Sequence, residues 1–357
     1  MSPTSYQTAP PRGGLLLIAN GAPRAQPARP AGVQRRGAAV AARIALTQTW
    51  PAASSPAHSP VAAWTAWPEH EVDLWPQHLP PPPEALREHA ARADGLLCLL
   101  TDRVDADLIA ACPRLRVISN FAVGCDNVDL AAVRARGIAL GYTPDVLTET
   151  TADLAVALIL AIARRLPEGM AAVRAGQWQR WDPGWMLGSD VHGATLGIVG
   201  LGRIGRAVAH RARGFDMEVL HTSRRGGVPL EDLLAGADFV SLHCPLTPQT
   251  RHLIAAPQLQ AMKPTAYLIN TARGGVVDQA ALERALREGW IAGAALDVTE
   301  PEPLPTDHPL LGAPDLIVLP HVGSATRATR ARMADLAVDN LLAGLAGRPL
   351  PREYGAP

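Results

Sequence analysis

A chain of 357 residues exceeds the usual single-domain size, so two domains are expected. Hydrophobic residues make up 48%, charged residues 18%, and the formal net charge is zero. That balance supports sizeable cores and excludes a bulk electrostatic pull towards nucleic acid or anionic membranes.

Residues 1–39 are rich in Pro, Ala, Gly and Arg, and no Asp or Glu precedes Glu69. They read as a disordered extension or an over-long gene start. The run Leu15 to Ala19 is shorter than the roughly 7–15 residues of a signal-peptide core, and the prolines oppose the amphipathic helix of an organelle presequence. Ordered structure is expected from near Val40. Arg43 to Thr47 reads as a first strand, and Pro80 to Pro83 as a stiff spacer before a helix over Glu84 to Ala93. Gly95 to Leu100 and Leu115 to Asn120 read as apolar strands. Leu154 to Ala163 is too short to span a bilayer; with the hydroxyls and acids of Thr148 to Asp153 before it, a buried helix is expected. From Leu196 onward strands alternate with helical patterns: Leu196 to Val199, Glu218 to His221, Phe239 to His243, Ala266 to Asn270, Gly293 to Asp297 and Leu316 to Pro320. Such alternation signals βαβ units and a parallel α/β sheet. Cys98, Cys112, Cys125 and Cys244 form no CxxC pair and fit free thiols in a reducing cytoplasm, with no metal site.

Gly200-Leu201-Gly202-Arg203-Ile204-Gly205 matches GxGxxG between a strand and the helical stretch Ile204 to Ala212, the context in which that loop binds a dinucleotide. The first glycine permits the turn, the second lets backbone approach the pyrophosphate, and the third allows helix–strand packing; free N–H groups then face the phosphates. Where an NAD enzyme usually places an acid, this chain has Thr222-Ser223-Arg224-Arg225. A carboxylate would repel a 2′-phosphate, whereas Ser223, Arg224 and Arg225 suit one, so NADP(H) is favoured and NAD(H) remains possible.

Three strand ends downstream carry candidate chemistry: Thr271-Ala272-Arg273 after Asn270, Asp297, and His321 before Gly323. Hydride arriving at a carbonyl carbon leaves charge on its oxygen, which a histidine can protonate. Glu302 is the candidate to stabilise the imidazolium, and Glu300 competes with it on distance alone. Arg273 can grip a substrate carboxylate and polarise the carbonyl.

These residues resemble the D-2-hydroxyacid dehydrogenases from about Val40 to the C-terminus. The family's catalytic arginine, acid and histidine fall on Arg273, Glu302 and His321, and the family spacing favours Glu302 over Glu300. The likeness implies that Asp297 contacts the nicotinamide carboxamide. Phe121 to Asp129, Thr143 to Thr148, Asp297 to Thr306 and Leu319 to Thr326 resemble the glyoxylate/hydroxypyruvate reductases within that family. The resemblance implies that backbone around Val123 and Gly124 receives the substrate carboxylate. It also implies two Rossmann-like domains around a cleft: a flavodoxin-like substrate domain from 40–147 and 323–357, and a dinucleotide domain over 148–322. The implied reaction is NADPH-dependent reduction of glyoxylate or hydroxypyruvate. The rivals are 3-phosphoglycerate dehydrogenase and a dinucleotide-sensing corepressor. Gln177 to Gly188, with Trp178, Trp181 and Trp185, resembles the loop through which relatives form homodimers. Two departures stand out. Only Gly226-Gly227-Val228 follows the arginine pair, so a strand and helix of the usual crossover look trimmed. The region Pro51 to Trp67 is unusually rich in Pro and Ser.

Overall fold

The computed structural model describes residues 42–47, 69–77 and 79–355. The expectations for residues 1–39 and for Pro51 to Trp67 lie outside the described residues.

Five short strands form a first sheet: β1 (Arg43–Leu46), β2 (Glu71–Leu74), β3 (Gly95–Cys98), β4 (Val117–Asn120) and β5 (Ala139–Gly141). Their order is β2-β1-β3-β4-β5 with every pairing parallel, the flavodoxin-like arrangement. β3 and β4 are buried at every position, as strands covered on both faces must be. β2 alternates exposed and half-buried positions at the edge, and it and β5 were not foreseen. Helix α1 (Pro83–Ala90) begins with prolines, whose missing N–H costs nothing in a first turn. Helices α2 (Ala106–Ala111) and α3 (Leu130–Ala135) are capped by Asp105 and Asp129.

Helix α4 (Thr148–Ala163) leads to the second sheet. It starts at the expected threonine, but Leu147 precedes it with no side-chain cap. Its stripe Ala152, Ala155, Leu158, Ile159 and Ile162 packs on Ile198, Ile269 and Ala295. Helix α5 (Leu166–Arg174) follows. The second sheet contains β6 (Thr195–Val199), β7 (Glu218–Ser223), β8 (Gly226–Gly227), β9 (Phe239–Leu242), β10 (Tyr267–Asn270), β11 (Gly293–Leu296) and β12 (Leu316–Val318). Helices α6 (Arg203–Ala212), α7 (Leu230–Gly236), α8 (Ala256–Ala261) and α9 (Gln279–Glu288) lie between these strands in sequence. The sheet order is β12-β11-β10-β9-β6-β7-β8. All pairings are parallel except β7 with β8, where Thr222 faces Gly227 and Ser223 faces Gly226. The trimmed crossover is therefore real: a two-residue hairpin strand stands where a doubly wound sheet usually carries a parallel third strand.

The last helix, α10 (Arg327–Leu345), returns to the first sheet. Its Met333, Ala334, Ala337 and Leu341 share a core with Ile44, Leu97, Val117 and Phe121.

Register does the final positioning. Val199 aligns with Leu242, Leu242 with Asn270, and Asn270 with Leu296. The residues that follow, Gly200, His243, Thr271 and Asp297, thus form one row at the carboxyl ends of the strands, where open α/β sheets bind ligands.

Candidate active site

Along that row and facing the carboxyl end of the first sheet lies a cavity of about 640 Å³. Its walls include Val123, Gly124, Gly202, Arg203, Ile204, Arg224, Thr271, Ala272, Arg273, Asp297, His321 and Gly323, most of the residues expected from sequence. Gly200, Leu201, Gly205, Ser223, Arg225 and Glu302 are not on its wall.

The glycine loop has a geometry that fits the three roles its spacing implies. Gly200 has φ +100°, and a Cβ there would meet Cys244 N and His243 C at 2.7 Å. At Gly202 a Cβ would meet nothing within 4 Å, so the backbone borders open space. At Gly205 a Cβ would lie 2.3 Å from the Gly200 carbonyl oxygen. α6 starts at Arg203 with no side-chain cap, and among the described residues no backbone hydrogen bond outside the helices and strands uses the N–H of Leu201, Gly202 or Arg203. A turn with an open cradle and unspent donors at a helix N-terminus fits the pyrophosphate of a dinucleotide. Arg203 pairs with Asp145 at 2.8 Å. Ser223 Oγ donates to the Gly226 carbonyl at 3.0 Å and accepts from the Arg225 N–H at 3.2 Å, which closes the hairpin. Arg224 projects to the cavity wall, while Arg225 is exposed.

Between Glu300 and Glu302 the structure decides. Glu302 Oε2 accepts from His321 Nδ1 at 2.8 Å and Oε1 accepts from the Thr299 N–H at 3.0 Å. Glu300 is instead paired with Arg251 at 2.8 Å. A carboxylate can only accept, so the Nδ1 it faces carries a proton, and Nε2 is the ring nitrogen left for a ligand.

Asp297 anchors the loop that carries this histidine. Its carboxylate accepts from the Val322 and Gly323 N–H groups, both at 2.7 Å, and its carbonyl accepts from the His321 N–H at 2.9 Å. Burial pushes its carboxyl above the usual range, although those two N–H bonds and His321 oppose the shift.

Arg273 spans the cavity. Its Nε donates to both oxygens of Asp126, at 3.0 and 3.1 Å, and its Nη1 donates to the Ala272 carbonyl at 2.9 Å. A Cβ on Gly124 would lie 2.0 Å from Arg273 Nη2, so only glycine admits this approach. Among the described residues, no backbone hydrogen bond outside the helices and strands uses the N–H of Val123 or Gly124. Thr271 and His243 stand side by side, with Oγ1 3.4 Å from Nδ1.

Three participants went unnoticed in the sequence. Asp126 holds Arg273, and its signal was an acid two residues beyond Gly124. His243 follows the apolar β9 in the row of strand ends. Arg330 lies on the cavity wall, with its guanidinium carbon 5.9 Å from the centre of the Phe121 ring.

A glycine-turn dinucleotide sheet facing an arginine and a carboxylate-held histidine defines a nicotinamide-dependent dehydrogenase. The model of the D-isomer specific 2-hydroxyacid dehydrogenase NAD-binding domain matches residues 156–323, and the chain belongs to that family. A glyoxylate reductase of Korarchaeum cryptofilum is 51% identical over 288 residues, 77% of this chain and 87% of that protein. The human glyoxylate reductase/hydroxypyruvate reductase is 47% identical over 296 residues, 79% of this chain and 90% of that protein. Among solved structures, an NADPH-dependent glyoxylate/hydroxypyruvate reductase of Sinorhizobium meliloti, in complex with NADP and malonate, superposes with a TM-score of 0.76 at 34% identity. That match covers 88% of this chain and 97% of the other.

Proposed function

We propose that this chain is an NADP(H)-dependent reductase of small 2-ketoacids, taking glyoxylate to glycolate and hydroxypyruvate to D-glycerate. The observation that carries the reading is one cavity in which Arg273 and the unspent N–H groups of Val123 and Gly124 face the His321–Glu302 pair. The names of the relatives above support the choice of substrates.

When bound, the nicotinamide supplies the hydride that reaches the carbonyl carbon. The chain does the rest. Val123 and Gly124 donate to the substrate carboxylate, and Arg273 bridges that carboxylate and the carbonyl oxygen with its planar donors. Protonated His321 gives its Nε2 proton to the oxygen as charge develops, and Glu302 holds the ring through Nδ1. Asp297 fixes the backbone beneath His321 and offers its remaining lone pairs to the carboxamide. Gly200, Leu201, Gly202, Arg203, Ile204 and Gly205 receive the pyrophosphate. Ser223, Arg224 and Arg225 take the 2′-phosphate, while Thr271, Ala272 and Gly323 border the nicotinamide side.

Residues 40–147 and 323–357 form the substrate domain and 148–322 the dinucleotide domain; the returning α10 supports that division. Trp178, Trp181 and Leu187 are 63%, 81% and 67% exposed, and Met170 and Val173 are 56% exposed each. Exposed apolar side chains of that kind suit a homodimer interface. No helix among the described residues is long and apolar enough to cross a membrane. Four free cysteines suit a reducing cytoplasm.

The test is steady-state oxidation of NADPH and NADH with glyoxylate, hydroxypyruvate, pyruvate and 3-phosphohydroxypyruvate. Turnover of the first two, with NADPH preferred, is expected. Preference for 3-phosphohydroxypyruvate would indicate a phosphoglycerate dehydrogenase. Tight dinucleotide binding without turnover of any ketoacid would indicate a sensor.

A further inference from the structure

Arg330 is a half-buried cation on the wall of the catalytic cavity, and among the described residues its guanidinium has no hydrogen-bond or ion-pair partner. Of the other three arginines on that wall, Arg273 pairs with Asp126 and Arg203 with Asp145, while Arg224 is exposed at the hairpin. Burial holds Arg330 below the ordinary arginine pKa, and Asp297 is the charge that opposes that shift. A buried guanidinium without an acceptor is unfavourable unless a ligand supplies one.

The position of Arg330 says which part of a ligand it meets. On the proposed reading, the substrate carboxylate lies at Val123 and Gly124, and its carbonyl lies between Arg273 and His321. Phe121, Leu147 and Met333 line the cavity and pack in one cluster, so they offer an apolar wall to the third carbon. Arg330 sits one helical turn before Met333 on α10 and lies over the Phe121 ring.

We infer that Arg330 donates to the substituent on the third carbon of the ketoacid and so determines the preference for hydroxypyruvate over ketoacids that lack a C3 hydroxyl. A site built to hydrogen-bond a hydroxyl discriminates sharply against an analogue without it, because the donor is then left unpaired. This inference rests on the ketoacid-reductase reading.

The test compares kcat/KM for hydroxypyruvate and pyruvate, which differ only in that hydroxyl, using the full chain and NADPH. Wild type is expected to favour hydroxypyruvate at least tenfold. Arg330→Met, which removes every donor, should lower the hydroxypyruvate-to-pyruvate ratio about 10–100-fold. Arg330→Lys, which keeps a donor but loses the planar fork, should fall between the two. A ratio within threefold of wild type in Arg330→Met overturns the assignment, whatever happens to the absolute rates. If that variant does not fold, a wild-type ratio near one overturns it alone. A wild type that reduces no ketoacid sinks the underlying reading as well, whereas an active wild type with an unmoved ratio sinks only the role of Arg330.

Discussion

Glu302→Gln tests the His321 assignment at its most specific point. Glu302 serves two donors at once, His321 Nδ1 at 2.8 Å and the Thr299 N–H at 3.0 Å. Glutamine has one acceptor oxygen, which the Thr299 N–H retains, so the amide NH₂ turns towards His321 Nδ1. The ring must then accept at Nδ1, and a protonated ring would meet a second donor. A charge-assisted hydrogen bond contributes about 1.5–3 kcal/mol. Both side chains are about a quarter exposed, at 24% and 23%, so solvent screening favours the lower half of that range. A loss of about 1.5–2 kcal/mol corresponds to roughly a 10–30-fold fall in kcat. The assay is steady-state reduction of glyoxylate followed by NADPH absorbance, with dinucleotide affinity measured separately by fluorescence titration. Affinity should hold within about twofold, since Glu302 is not on the cavity wall. A fall in kcat below threefold, or a matching loss of dinucleotide affinity, would refute the view that Glu302 acts through the proton donor.

Other outcomes follow from the same geometry. Gly205→Ala places a methyl 2.3 Å from the backbone oxygen of Gly200. Backbone on both sides leaves little relief, so a destabilisation of about 1–3 kcal/mol and weaker dinucleotide binding are expected, read as a lower Tm and a raised Kd. Asp126→Asn weakens the ion pair that aims Arg273, which should raise KM for glyoxylate more than it lowers kcat; equal changes in both would count against a positioning role. Burial pushes His243 down to about 4, against about 6.5 when unfolded. The unfolded chain therefore binds more protons between those values, and stability present above pH ~6.5 is lost as pH falls towards 4. The loss is at most about 3–4 kcal/mol, and less because His243 is only partly buried. Urea unfolding at neutral and acidic pH should show a shallower pH dependence in His243→Asn than in wild type; identical dependence would refute the assignment. Trp181→Ser should weaken self-association measured by light scattering, and an unaltered mass would locate the interface elsewhere.

The sequence revealed most where burial was complete. β3, β4, β9, β10 and β11 are apolar runs flanked by turn residues, and their bounds came within a few residues. β2, β5 and β8 escaped because edge strands need no continuous apolar run: β2 is Glu-Val-Asp-Leu, β5 has three residues, and β8 is two glycines. In the site, the glycine loop and the strand-end residues were legible because their chemistry sits in local motifs. The Glu300–Glu302 ambiguity was not resolvable by distance along the chain, since both acids occupy one loop and only folding sends one to Arg251. Asp126 and Arg273 are 147 positions apart, so no local pattern could pair them. Arg330 sits in an ordinary-looking polar helix start and gains meaning only when α10 lays it over Phe121.

On the proposed reading, in which Arg224 and Arg225 meet the adenosine end, the hairpin at Ser223 to Gly227 makes the dinucleotide preference an evolvable trait. Its turn is closed by its own serine and by pairing with β7, and β8 ends the sheet. Arg224 and Arg225 are exposed and belong to no core cluster, so replacing them disturbs no interior packing. Selection could therefore rewrite the residues that meet the adenosine end while the glycine turn, the arginine and the histidine pair stay in place.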